Sequence, residues 1–175
     1  MEPRAVSESR AVLVQWMGPS DANAAGFVHG GTVMKLCDEA AAAAAIRHAR
    51  SRVVTAAVDR MTFLQPVHVG DLLTLQASVN AVWRSSMEVG VRVQSENPAS
   101  GRVRHTNSAY ITMVAVDADG RPIAGGIPPL RCETPDESRR EREAQGRRAN
   151  RLAERDQLRE ERALEEAQEA GAQPA

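Results

Sequence analysis

Apolar and polar positions alternate along residues 7–17, which predicts a β-strand. The period then changes. Over residues 31–49, Val33, Leu36 or Cys37, Ala40, Ala44 and Ala45 recur at helical spacing and make one apolar stripe. The run Ala40–Ala45 keeps such a helix thin, so other backbone can pack close to it. Four β-like stretches follow, at 52–64, 71–83, 86–96 and 104–117. Val79, Val82, Val89, Val91 and Val93 bring strand propensity and partial alternation. Turn signals separate the stretches: Pro66 to Gly70-Asp71, Asn97-Pro98, and Asp117 to Gly120. One helix followed by neighbouring strands reads as α+β, an antiparallel sheet of about five strands wrapped around one central helix.

The composition shifts near residue 135. Nearly all Val and Ile, and every Trp, Phe and Tyr, lie before it. Residues 136–175 are rich in Arg, Glu, Gln and Ala, and form a charged tail distinct from the folded domain at 1–135. Leu152, Leu158 and Leu164 stand six apart, which fits no heptad seam. Pairs such as Glu137–Arg140, Glu143–Arg147 and Asp156–Arg159 would support an isolated helix weakly. The expectation is a solvated helix without a catalytic role, with disorder beyond Gly171.

The 175 residues carry a formal net charge of -1, so no global basic field attracts nucleic acid. No apolar run reaches the length of a membrane span. The start, Met-Glu-Pro-Arg, has no signal-peptide core. Cys37 and Cys132 make no zinc pattern and favour a reducing cytoplasm. His48, His68 and His105 have no metal-ligand spacing, and no metal site is expected. Aromatics are only 3% of the chain, so the core must be aliphatic.

The stretch from Asp21 to Ala40 holds the chemistry. A polar loop with Gly30-Gly31 runs into the Ala-rich helix, and Asp38 interrupts that helix about two turns in. A carboxylate there is costly unless it is paired or used. The glycine pair leaves the first helical N–H groups approachable. Bare N–H groups beside a lone carboxylate suggest a site that holds a carbonyl oxygen and attacks its carbon.

The pattern Asp-x-Asn-x-x-Gly-x-Val-His-Gly-Gly-x-x-x-Lys-x-x-Asp-Glu-Ala resembles the hotdog-fold acyl-coenzyme A thioesterases, with the cytosolic acyl-CoA hydrolases as the nearest branch. The likeness continues through Val54–Asp71, Arg84–Val89 and Ala109–Asp117, and covers about residues 7–130. It implies a cytoplasmic hydrolase of acyl-CoA that needs no cofactor, CoA being part of the substrate. It also implies a homodimer as the minimal active unit, assembled further as a trimer of dimers. Each site would lie between protomers, with Asn23 of one chain facing Asp38 of the other.

In that reading Asp38 activates water, or attacks directly to form an anhydride. The N–H of Gly31, with Thr32 beside it, holds the thioester oxygen at the helix N-terminus. Asn23 orients the water or the carbonyl. Little acid help is needed, because a thiol of pKa about 8.5 leaves readily. No Gly-rich phosphate loop is present, so CoA would meet scattered groups: Arg84, Ser85 and Ser86 in a turn, Arg60, and the loop residues His29 and Gly30. Arg102 and Arg104 are weaker candidates. His29 reads as a local hydrogen-bonding residue, Cys37 as a small buried one, and Thr55 and Asp59 as strand packing. Phe27, Met34, Met61 and Phe63 suit either an acyl tunnel or ordinary core. A hydratase would need a His five residues after Asp38, where Ala43 stands. The remaining alternatives are a noncatalytic acyl-CoA-binding module and a thioesterase for aromatic acyl-CoAs.

Overall fold

A computed structural model describes residues 1–59 and 61–171. In chain order the elements are β1 (Arg4–Ala5), α1 (Val6–Ser9), β2 (Ala11–Trp16), a 3-10 turn (Pro19–Asp21) and α2 (Gly30–Ala49). Then come β3 (Arg52–Val58), β4 (Thr62–Phe63), β5 (Leu72–Val82), β6 (Ser86–Asn97), β7 (Arg102–Val116), β8 (Leu130–Arg131) and α3 (Pro135–Gly171). The main sheet is antiparallel in the order β2-β5-β6-β7-β3, with β4 pairing beyond β3 on β7.

The sheet curls around α2. Leu73, Leu75, Val79, Val89, Val91, Val93, Ile111 and Met113 point inward, and Val33, Cys37, Ala40, Ala41, Ala44 and Ala45 fill the gap from the helix. Alternation along β5, β6 and β7 puts every second side chain on this face. The alanines let the helix axis approach the sheet closely, and no aromatic ring sits in the buried core. α2 starts on His29, whose Nδ1 accepts from Gly31 N at 3.0 Å. It ends on Arg50 in the left-handed conformation at φ 54°.

Three expectations change. Residues 7–10 are not strand. The turn α1 is closed by Ser9, whose Oγ donates to Val6 O and accepts from Val79 N, and by Glu8, which caps Ala5 N. The stretch 52–64 is two strands, because the ladder of β3 on β7 shifts register between Thr55 and Ala57 and its pairing ends at Val58.

The tail changes most. Thr134 and Glu137 form a reciprocal capping box: Glu137 N donates to Thr134 Oγ1, and Glu137 Oε2 accepts from Glu133 N and Thr134 N. The first turns of α3 then dock on the sheet face turned away from α2. Ala144 is fully buried, Arg147 stacks on the Tyr110 ring at 3.7 Å, and Arg148 lies over Trp83. None of the three expected helix pairs forms. Glu137 meets Arg10, Glu143 meets Arg139, Arg147 meets Glu88, and Asp156 meets Arg155. The reason is burial: Glu88 is fully enclosed and requires a partner, whereas an exposed helical pair is worth only about 0.3–0.5 kcal/mol. From Arg151 on, the described side chains of α3 are mostly exposed, as expected of a solvated helix. Residues 172–175 and the side chain of Leu164 lie outside the described residues. No helix among the described residues is long and apolar enough to cross a membrane.

Candidate active site

The loop before α2 is built on Asn23. Its Oδ1 accepts from Ala25 N at 2.9 Å and Phe27 N at 3.2 Å, and its backbone N donates to Phe27 O at 2.7 Å. The side-chain oxygen is thus spent on an Asx-type turn, which Gly26 completes at φ 81°. This leaves the Asn23 Nδ2 donor, which meets no acceptor among the described residues. His29 N donates to Asp21 O at 2.7 Å and closes the loop onto the helix start.

The cap redistributes the helix donors. Gly31 N–H, read from sequence as the open donor, is taken by His29 Nδ1. Thr32 N and Val33 N donate to His29 O. Gly30 N–H is the first-turn donor that meets no acceptor among the described residues. Gly30 lines a groove of about 310 Å³ together with Asn23, Phe27, Phe63 and Leu64, among others. A Cβ added at Gly30 would meet the Phe63 ring at 3.4 Å, so a side chain there would narrow the groove. Phe27 and Phe63 therefore belong to this groove and not to the core.

Asp38 lies elsewhere. It is half-exposed on α2 and its Oδ1 accepts a short hydrogen bond from Thr55 Oγ1. Thr55 stands on the exposed edge strand β3, just before the register shift. Eight helical residues separate Gly30 from Asp38, about 12 Å along the axis and about 80° around it. A carbonyl held by Gly30 N–H has its carbon within about 4 Å of that nitrogen, so Asp38 of the same chain is poorly placed to attack it. Asp38 does not line the Asn23 groove either. One chain thus presents two candidate half-sites: Asn23 with Gly30, and Asp38 with Thr55.

Other candidates fall outside these halves. Cys37 is buried beside Asn107, and burial pushes its thiol up to about 12, so it stays protonated. Arg84, Ser85 and Ser86 form the β5–β6 turn. Its carbonyls are committed inward: Arg84 O accepts from Ile127 N, and Ser85 O from Ala115 N. The exposed Arg84 guanidinium has no ion-pair partner among the described residues. None of the three lines the Asn23 groove. Arg60 lies outside the described residues. Arg104 is a structural residue, donating to His68 and to the buried Asp71. Burial alone would raise the Asp71 carboxyl. Bonds from Ser95 Oγ and His68 N, with the charges of His68 and Arg104, outweigh that and hold it below its ordinary value.

Thr55, read from sequence as strand packing, is the further candidate that the structure brings to Asp38. Its signal was a hydroxyl in the run Val53-Val54-Thr55-Ala56-Ala57-Val58, one strand after the lone helical carboxylate.

The thioesterase superfamily model matches residues 25–101. A crystal structure of an apo-hexameric acyl-CoA thioesterase superposes with a TM-score of 0.83 at 38% identity, over 88% of this chain and 97% of that one. This chain belongs to the hotdog-fold acyl-CoA thioesterase family. Another member is the Staphylococcus aureus acyl-CoA hydrolase, solved with butyryl coenzyme A, with a TM-score of 0.81, 32% identity, and coverage of 94% and 98%. Variants of that hydrolase solved separately replace an aspartate, an asparagine and a threonine by alanine. The rat cytosolic acyl coenzyme A thioester hydrolase is 36% identical over 148 residues, 83% of this chain. The chain spans 38% of the length of that rat relative.

Proposed function

We propose that this family member hydrolyses acyl-CoA thioesters to a carboxylic acid and CoA, in composite sites shared by two copies of the chain. The observation that carries the reading is the Thr55–Asp38 hydrogen bond, set apart on the chain from the Asn23–Gly30 groove. The three residues replaced in the Staphylococcus aureus hydrolase stand at the same separations from one another as Asn23, Asp38 and Thr55.

Gly30 N–H of one protomer receives the thioester oxygen, aided by the helix dipole. Asn23 Nδ2 of the same protomer aligns the carbonyl or the attacking water. Asp38 of the partner takes a proton from that water, or adds to the carbonyl itself, with Thr55 fixing its carboxylate. In the first case the water oxygen bonds to the carbonyl carbon, the C–S bond breaks and the proton passes to the departing thiolate. In the second the C–S bond breaks as Asp38 forms an anhydride. Water then hydrolyses the anhydride to release the acid and restore Asp38, and that water's proton goes to the thiolate. No cofactor takes part in either. His29 keeps Gly31 N–H occupied and shapes the loop, and Thr32 continues that first turn. Arg84, Ser85, Ser86 and Arg60 are the groups proposed to meet the CoA phosphates.

The exposed edge of β3 is the surface proposed for dimerisation. β3 is an edge strand with Val54 and Val58 exposed, and such an edge invites pairing with a second copy. The hexameric neighbour supports a trimer of such dimers, and the cytosolic relative supports a cytoplasmic location.

The test is thiol release from short, long and aromatic acyl-CoAs by wild type, Asp38→Ala, Asn23→Ala and Thr55→Val. Asp38→Ala is expected to lose at least about 100-fold in kcat with the oligomer intact. Thr55→Val is expected to lose about 10-fold. Wild-type protein that binds acyl-CoA and releases no thiol from any of them overturns the reading in favour of a binding module.

A further inference from the structure

The docked turns of α3 carry a chain of charges that ends beside the site. Glu88, fully buried on the face of β6 opposite α2, accepts from Asn80 Nδ2 at 3.1 Å. It also accepts twice from Arg147, at 3.0 Å from Nε and 2.7 Å from Nη2. One turn further along α3, Arg151 Nη1 reaches 4.0 Å from Glu88 and donates to Asp59 Oδ2 at 2.5 Å. Two arginines balance two carboxylates. The Arg147–Glu88 fork roots α3, because sliding the helix would strand a buried charge.

Asp59 is where this chain touches the catalytic strand. Its backbone N donates to Tyr110 O at 2.9 Å, just past the last paired residue of β3. Thr55 lies four residues before it and Phe63 four after, one in each half-site. β3 is held by β7 on one side only, and its register slips between Thr55 and Ala57. A bulged edge strand is the compliant part of a sheet. Burial pushes the Asp59 carboxyl above its ordinary value, against the pull of Arg151. Losing Arg151 removes the ion pair that ties this end of the strand to α3.

We propose that Arg151 is a positioning residue for the hydrolysis: by gripping Asp59 it fixes the edge strand that holds Thr55 against Asp38. The charged tail is then a strut of the active site. This rests on the reading above, in which Thr55 and Asp38 act together.

The test is steady-state hydrolysis by the full-length oligomer of the acyl-CoA that wild type turns over fastest. Arg151→Ala is expected to lower kcat about 10-fold and to leave KM within about twofold. Arg151→Lys, which keeps one charged donor, is expected to recover most of kcat. In the Thr55→Val background Arg151→Ala is expected to cost less than about twofold more, because the contact it maintains is already gone. An unchanged kcat in assembled Arg151→Ala overturns the proposal, and so does a full additional loss on top of Thr55→Val. If Arg151→Ala does not assemble, Asp59→Asn carries the same expectation, and an unchanged kcat there overturns it. Wild type without activity instead overturns the underlying reading, so the two failures are distinguishable.

Discussion

His48 shows how a single buried side chain sets a pH dependence. It is fully buried on α2, its Nε2 bonds Pro128 O at 2.9 Å, and its Nδ1 has no partner among the described residues. Burial holds it below its ordinary value, and the Pro128 bond offsets only part of that. An unfolded histidine takes up its proton near pH 6.5. Between that pH and the lower folded value the unfolded chain binds more protons, so stability is complete above about 6.5 and declines as pH falls. Denaturant melts of wild type should therefore weaken from pH 7 to pH 5. His48→Gln, which keeps a donor for Pro128 O, should remove that part of the slope. At this scale the sequence was partly legible. Asp38 stood out because a carboxylate in an alanine helix demands a reason. His29 also read correctly as a local hydrogen-bonding residue. That it takes Gly31 N–H, leaving Gly30 N–H open, depends on a ring orientation that spacing does not encode. Thr55 looked like strand packing until the helix lay across it.

Elements obey local rules where their partners are local. α2 ends on Arg50 in the left-handed region, which costs a residue with a Cβ roughly 1 kcal/mol. Arg50→Gly should raise stability by about 0.5 kcal/mol once the looser unfolded chain is counted, read as a small increase in Tm. The long strands β5, β6 and β7 and the single core helix were all visible as periodicity, because each has one face buried and one not. The start of α3 has a local cause too, the capping box of Thr134 and Glu137, which the hydrophobic period does not reveal. Its docking was not legible either, because Arg147 and Arg151 find carboxylates 59 and 92 residues away in the chain.

The whole molecule is where the division of the site matters. If Asn23 and Asp38 of different chains complete each site, mixing inactive Asn23→Ala with inactive Asp38→Ala protein through unfolding and reassembly should restore activity. Half the dimers would be mixed and one site in each intact, giving about a quarter of wild-type activity. No recovery on mixing would place both residues in one chain. The sequence by itself determined the α+β class, the central helix, the main strands and the family motif, because hydrophobic period and short-range residue order are local properties that burial selects directly. The tertiary structure alone decided that the tail is docked, that Thr55 meets Asp38, and that Asp38 does not line the Asn23 groove of its own chain. Those are distances between residues far apart in the chain, set by how buried charges and strand edges find partners once the elements have packed.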